Sequence, residues 1–245
     1  MDLRFLYRAV KARYRDQKAE VAALLQAIKP GDTAVDIGAN KGSYLWWLSR
    51  AVGQGKVVAF EPQKMLVDYL KDACRACRMN NVIIEHFAVS ERSGETVLNI
   101  PGESTSPGAS IEAAIGRREK CRQERVRLVA LDEYFADERS RIGAIKVDVE
   151  GHELSVFKGA ANILLRHSPL LVFECENRHM SSGSVTDVLK FLRDLGYSGH
   201  FIRENRLFLL DDFDPSVHQK QEGPRYWDAK GYCNNFIMTR SGVGA

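Results

Sequence analysis

Short apolar runs alternate with longer stretches of helical spacing from residue 33 onward. Thr33 to Ile37, Lys56 to Phe60, Val82 to Phe87, Ile142 to Val147 and Leu170 to Phe173 read as strands. Between them the pattern predicts a helix from Ser43 to Val52, a second from Met65 to about Met79 and a third from Glu153 to Leu165. A fourth, from Val185 to Leu195, is stopped by Gly196. Gly94 to Pro101 and Val126 to Leu131 are extended, and Asp132 to Phe135 opens a short helix. Phe201 to Arg203 and Leu207 to Leu210 flank Glu204-Asn205-Arg206 as a hairpin, and Asn235 to Thr239 is a last strand. Strand and helix in this order predict an α/β fold around a doubly wound, mostly parallel sheet.

Ahead of the first strand, Leu3, Tyr7, Val10, Tyr14, Val21, Leu24 and Ile28 form one helical stripe, interrupted at Gln17 and ended by Pro30-Gly31. An amphipathic helix over residues 1–29, packed on the domain through that stripe, is expected. Arg4, Arg8, Lys11, Arg15 and Lys18 run along its flank. Such a flank either solvates the helix or meets an anionic partner such as a nucleotide-sugar, a glycan phosphate or an acidic lipid surface.

The chain of 245 residues can bury the core of one large α/β domain, and no repeat or linker divides it. A single domain over 1–245 is therefore expected. Lys and Arg number 35 against 32 Asp and Glu, a net +3 that is too mild to require nucleic acid or membrane. Charges begin at Asp2 and Arg4, and no later run approaches the ~18 apolar residues of a membrane span. A soluble, cytoplasmic protein without a transmembrane segment is the expectation; the oligomeric state is not legible. Cys74, Cys77, Cys121, Cys175 and Cys233 are odd in number and scattered, which argues against a disulfide framework. Cys74-Arg75-Ala76-Cys77 has zinc or redox spacing but lies within a helical pattern and lacks a second ligand pair, so free thiols are expected.

Chemistry concentrates where strands end. Asp36-Ile37-Gly38-Ala39-Asn40-Lys41-Gly42 closes the first strand, at the sheet edge where ligands of open α/β sheets bind. Glycine permits positive φ and close approach of a ligand to the backbone. The spacing is not the G-x-G-x-x-G of a pyrophosphate site, and Asp36 would repel that anion while attracting the cationic amino group of a methionine moiety. The same turn also reads as a structural corner whose Asp or Asn caps the helix. Glu61-Pro62 ends the second strand, where a carboxylate commonly accepts the hydroxyls of a ribose. Ribose plus amino-acid cation points to S-adenosylmethionine. Between the strands, Gly102 to Ser110 is rich in Gly, Ser, Thr and Pro and reads as a lid loop or as a surface excursion.

Asp148-Val149-Glu150-Gly151-His152-Glu153 sets three carboxylates and an imidazole at the end of a core strand. Alternation would send Asp148 and Glu150 to one side, with Glu174 from the next strand facing the same crevice. Crowded carboxylates raise one another's pKa or share a cation. Asp148, Glu150 and Glu174 are thus candidate catalytic bases, and a divalent cation is left unassigned. His152 is read as exposed.

Asp36 to Gly42, Glu61-Pro62, Phe87-Ala88-Val89, the Ser110 loop and Lys146 to Glu153 together resemble the FkbM-type S-adenosylmethionine-dependent methyltransferases, over roughly Asp32 to Thr239. The resemblance implies a Rossmann-like class I methyltransferase domain with a seven-stranded sheet, its last strand antiparallel, and helices on both faces. It implies O-methylation of a hydroxyl on a sugar, polyketide or related small metabolite. On this resemblance Asp36, Gly38, Ala39, Asn40, Gly42, Ser43 and Tyr44 surround the methionine half of the cofactor, and Glu61 and Pro62 the ribose. His86, Phe87 and Ala88 border the adenine, with Ser110 and Asp148 as further contacts. His86 fits a packed strand-end histidine equally well. A nucleotide-dependent oxidoreductase and a nucleic-acid methyltransferase using the basic N-terminal flank are the alternatives.

Overall fold

The computed structural model describes residues 2–112 and 120–240. Its main sheet has eight strands in the order β10-β9-β11-β8-β7-β1-β2-β3. These are β1 Thr33–Ile37, β2 Lys56–Phe60, β3 Val82–Glu85, β7 Ile142–Val147, β8 Leu170–Glu174, β9 Tyr197–Arg203, β10 Arg206–Leu209 and β11 Asn235–Arg240. Strands β3, β2, β1, β7 and β8 run parallel, and β11 inserts antiparallel between β8 and β9. Seven strands thus have the expected arrangement. The eighth, β10, is added by the hairpin, whose Glu204 and Asn205 both take positive φ as a tight two-residue turn requires.

Every residue of β1 and β7 is buried, because both faces of the sheet are covered. Alternation sorts the side chains. Val35, Ile37, Val58 and Phe60 join a core with Val156, Phe157 and Val188, while Ala34, Val57 and Ala59 join another with Phe5, Leu48 and Leu70. Helices α1 Leu3–Lys11, α2 Lys18–Ala27, α3 Leu45–Ala51 and α4 Lys64–Ala76 cover that second face. The segment expected as one helix from Glu153 to Leu165 is two, Glu153–Lys158 and Ala161–His167. They part at Gly159, whose carbonyl accepts from Asp132 N and whose missing Cβ leaves room for the Ser90 carbonyl.

The N-terminal expectation needs correction. A π-helical turn, Ala12–Asp16, and Gln17 at φ −131° break the helix. In its first half Phe5, Ala9 and Ala12 face the domain, whereas Leu3, Tyr7, Val10 and Tyr14 are exposed. Both sets have helical spacing, but the two alanines let the backbone come close enough for Trp47 Nε1 to donate to Ala9 O at 2.7 Å. From Val21 onward the predicted stripe is buried.

A second sheet, not anticipated, lies between β3 and β7. Strand β5, Gly94–Pro101, pairs antiparallel along its whole length with β6, Cys121–Val129, which also pairs β4, Ala88–Val89. It packs Leu98, Ile100 and Val126 around Ala88 and carries the 102–110 loop. Among the described residues no two cysteines form a disulfide, and no helix is long and apolar enough to cross a membrane.

Candidate active site

The turn after β1 is set by contacts within the protein as much as by room for a ligand. Gly38 has φ +75°, and a Cβ there would overlap the carbonyl oxygen of Asp148. Gly42 has φ +74°, and its Cβ would fall 2.7 Å from the Phe5 ring and 2.8 Å from Leu70. Gly42 therefore lets α1 and α4 close beneath the turn rather than opening the turn to a ligand. Asp36 is fully buried with neither carboxylate oxygen hydrogen-bonded, and Lys146 Nζ stands 3.9 Å away. Burial, only partly offset by Lys146, pushes its carboxyl up to about 6.

A cleft of about 560 Å³ opens above the turn. Gly38, Asn40, Glu61, Pro62, Phe87, Ala88 and Asp148 line it, joined by Leu98, Pro107, Ala109 and Ile111 from the small sheet and its loop. Glu61 accepts from Asn40 N at 2.8 Å through Oε2 and from Gln63 N at 2.9 Å through Oε1. Each oxygen keeps a second lone pair for a diol. Burial pushes this carboxyl up to about 7, with the two backbone N–H groups opposing. The apolar end, Phe87 with Leu98 and Ile111, suits a flat base. His86 does not line the cleft, since its Nε2 lies 2.9 Å from the Pro62 carbonyl.

The loop expected to be a lid or a surface excursion lies across this cleft. The Gln63 side-chain amide donates to Ser106 O at 2.9 Å and accepts from Ser106 N at 3.0 Å. Ser110 is buried, bridges Asn99 through its backbone and donates its hydroxyl to Glu150 O at 2.8 Å. Ser110 pegs the loop, while its neighbours Ala109 and Ile111 reach the cleft.

Asp148 also borders a second cavity, of about 480 Å³, with Asp16, Gln17, Glu20, Tyr44, Lys146, Glu174 and Asn235. Lys146 Nζ donates to Asp148 Oδ2 at 3.1 Å and to Gly38 O at 3.4 Å, and lies 5.3 Å from the centre of the Tyr44 ring. Burial would discharge this ammonium, but Asp148 and Asp36 outweigh it and hold its pKa above the ordinary value. Glu174 is pushed well above the carboxylate range by burial, then by Asp148, Glu150 and Glu176. Glu20 is pushed up to about 7 by burial.

Glu150 departs from its expected place. The strand ends at Val147, Glu150 takes φ +53°, and its carboxylate pairs with His179 Nδ1. It lines neither cavity. Gly151 follows at φ +101°, where a Cβ would overlap the His179 backbone. Glu176 is bound by Arg178, Tyr232 and Asn234, which overcome burial and hold it at about 2. His152 is not exposed. It lines the first cleft with Nε2 at 2.9 Å from Ser90 Oγ and Nδ1 at 2.7 Å from Glu112 Oε1. Among the described residues no group of three His, Cys, Asp or Glu could hold a metal ion. The carboxylates are committed to Lys146, His179, Arg178 and Asn234 instead.

A family profile for the methyltransferase FkbM domain matches residues 36–198, from the first carboxylate to the start of β9. The chain belongs to the FkbM methyltransferase family. Over 152 residues it is 32% identical to Methyltransferase sdnD of Sordaria araneosa, covering 51% of this chain and 59% of that one. Over 157 residues it is 29% identical to Hexuronic acid methyltransferase AglP of Haloferax volcanii, covering 62% of this chain and 61% of that one. The chain thus spans about three fifths of the length of these relatives. A crystal structure of Methyltransferase FkbM from Methylobacillus flagellatus shares the fold, with a TM-score of 0.51 and 15% identity over 96% of this chain and 57% of that one. A Streptococcus mutans protein solved in complex with SAH has a TM-score of 0.50 and 10% identity over 92% of this chain and 97% of that one.

Within this FkbM domain, Lys146 is the residue of the candidate site that sequence reasoning passed over. Its signal was present, since a lysine inside the apolar strand Ile142 to Val147 must have a buried counter-charge. Gln63 and Glu112 gave no such signal, because their partners Ser106 and His152 lie far along the chain.

Proposed function

We propose that the chain transfers a methyl group from S-adenosylmethionine to a hydroxyl of a sugar or related small metabolite. The observation that carries this reading is that Asp148 borders both cavities, so a donor in one and an acceptor in the other would meet at its carboxylate. Gly38 and Asn40 would hold the methionine half, Glu61 the ribose through its remaining lone pairs, and Phe87, Ala88 and Ile111 the adenine. Pro62 would border the ribose. S-adenosylmethionine, when bound, supplies an electrophilic methyl on a sulfonium.

The chain's own residues orient the acceptor and take its proton. In-line displacement depends mainly on alignment and on exclusion of water, which the 102–110 loop and the walls of the second cavity provide. Asp148 and Glu174 are the bases that line the cavity proposed for the acceptor hydroxyl. Asp36, sealed beneath the turn, acts by holding Lys146, which in turn orients Asp148.

Four carboxylates, Asp16, Glu20, Asp148 and Glu174, line the acceptor cavity. They offer hydrogen-bond acceptors to the hydroxyls of a polyol, which favours a sugar. The hexuronic acid named for one relative supports the same class. Family membership supports a methyl donor over a nicotinamide cofactor.

The test is incubation of the purified protein with methyl-labelled S-adenosylmethionine and a panel of hydroxylated sugars, including uronic acids. The expected product carries label as an alkali-stable methyl ether. Label released by mild alkali would mark a carboxyl ester and overturn the hydroxyl assignment.

A further inference from the structure

On α1 the side chains that pack on the domain and those that face away form two separate ridges. Phe5 and Ala9 are fully buried, and Ala12 continues their ridge. On the opposite side Leu3, Tyr7, Val10 and Tyr14 are 74%, 64%, 47% and 60% exposed. Large apolar side chains scattered singly on a surface need no explanation, but three in register on α1 do. Tyr14, in the π-helical turn, continues them, and its ring also meets Trp47 edge-on.

Charge decides what covers them. Residues 2–18 contain six Lys and Arg against two Asp, an excess of four, whereas the whole chain carries only +3. The positive charge of the protein is therefore gathered on this segment, and the remainder is slightly acidic. At 100° per residue Arg4, Arg8, Lys11 and Arg15 fall between the exposed ridge and the buried one. Arg8 donates to Tyr69 OH at 2.8 Å, which fixes the helix to α4. Arg4 and Arg15 stay exposed. An apolar ridge with aromatic rings, bordered by long cationic side chains, is the arrangement that seats a helix at the boundary between headgroups and acyl chains. A second copy of the chain would bring this concentrated positive charge against itself.

We propose that the exposed face of the helix Leu3–Lys11, continued through Tyr14, docks on an anionic lipid bilayer. The helix lies in the interface, since it is too short to cross it. Asp16 and Gln17, next along the chain, form part of the rim of the second cavity, so docking brings that rim toward the lipid. The acceptor class this favours, a hydroxyl compound anchored in the bilayer, rests on the function proposed above; the docking itself does not.

Sedimentation of the full chain with sucrose-loaded vesicles tests the docking without any activity. Vesicles of phosphatidylglycerol and phosphatidylcholine should carry the protein down, vesicles of phosphatidylcholine alone should not, and raising salt from about 0.05 to about 0.5 M should release it. The pair Tyr7→Ser and Val10→Asp, and separately Arg4→Glu with Arg15→Glu, should each lower binding at least about tenfold with the circular dichroism spectrum unchanged. Equal partition on charged and neutral vesicles would overturn the proposal. So would a dimer, seen by light scattering, that Val10→Asp disperses in a protein with no vesicle binding, because the ridge would then belong to a second copy. A bilayer-bound protein that labels only water-soluble sugars would retain the docking and remove the anchored acceptor.

Discussion

The carbonyl oxygen of Asp148 occupies the space that a side chain on residue 38 would need. The ends of β1 and β7, each carrying its own acidic residue, are locked together at that point. Replacing Gly38 by Ala adds a Cβ at φ +75° and drives it into backbone that has no room to retreat. A loss of about 2 kcal/mol or more is expected from strain and overlap together. Urea unfolding should report it as a lower midpoint with an unchanged slope. A change below about 0.5 kcal/mol would mean that the two strand ends are not coupled.

Lys146 is buried between Asp36 and Asp148, so Lys146→Met leaves two carboxylates facing each other without a cation. Removing one partner of a buried pair costs about 3–5 kcal/mol. The lower end applies, because the Asp148 side chain is a third exposed. Asp36→Asn in the same background should restore part of the loss by removing one of the two charges. A double-mutant cycle that showed simple additivity would contradict this placement of Lys146.

The buried carboxylates fix the sign of the pH dependence. Glu20, Glu61 and Glu153 are raised to about 7 and Asp36 to about 6, chiefly by burial. Folded values above the unfolded ones mean that the native state binds more protons, so stability is highest below about pH 4.5 for these groups and falls as pH rises toward 7. Each such proton contributes up to about 1.4 kcal/mol per pH unit. His167, lowered by burial, opposes them with a single proton. Glu176, held at about 2, acts only at lower pH. Thermal melts of the ligand-free protein should lose stability from pH 5 to 7, and Glu61→Gln should flatten the slope. A rise over that interval would refute the burial of these groups.

Gln63 holds the 102–110 loop by two hydrogen bonds to Ser106, in addition to the Ser110 peg. Gln63→Ala should speed proteolytic cleavage within the loop severalfold without lowering the global unfolding midpoint by more than about 1 kcal/mol. S-adenosylhomocysteine should slow cleavage in the parent protein. Equal cleavage with and without it would separate the loop from the cofactor cleft.

The sheet was legible because its central strands are apolar on both faces and end in carboxylates at the ligand edge. The mostly parallel sheet with an antiparallel last strand came from resemblance and was met, with β10 as an eighth strand beyond the seven expected. Residues 94–129 were harder to read. Strand β5 sets Val97 beside Leu98 and β6 carries the polar run Arg122 to Arg125 near its start, so neither alternates cleanly, and what joins them is pairing between residues far apart in the chain. Gly38 and Gly42 take the positive φ expected of the turn, but Gly42 is required by Phe5 and Leu70, and a glycine's neighbours cannot be read from its own position. The N-terminal helix offered two ridges of equal spacing, and the one with smaller residues turned inward. Glu150 left the site because the strand stops three residues earlier than alternation assumed.

Binding of S-adenosylhomocysteine tests the account most directly. Calorimetric titration of the purified chain should give saturable binding near one equivalent, and Glu61→Ala should weaken it about 10- to 100-fold, the worth of hydrogen bonds to a charged group. Saturable binding of NAD with no response to S-adenosylhomocysteine, or an affinity unaltered by Glu61→Ala, would contradict it.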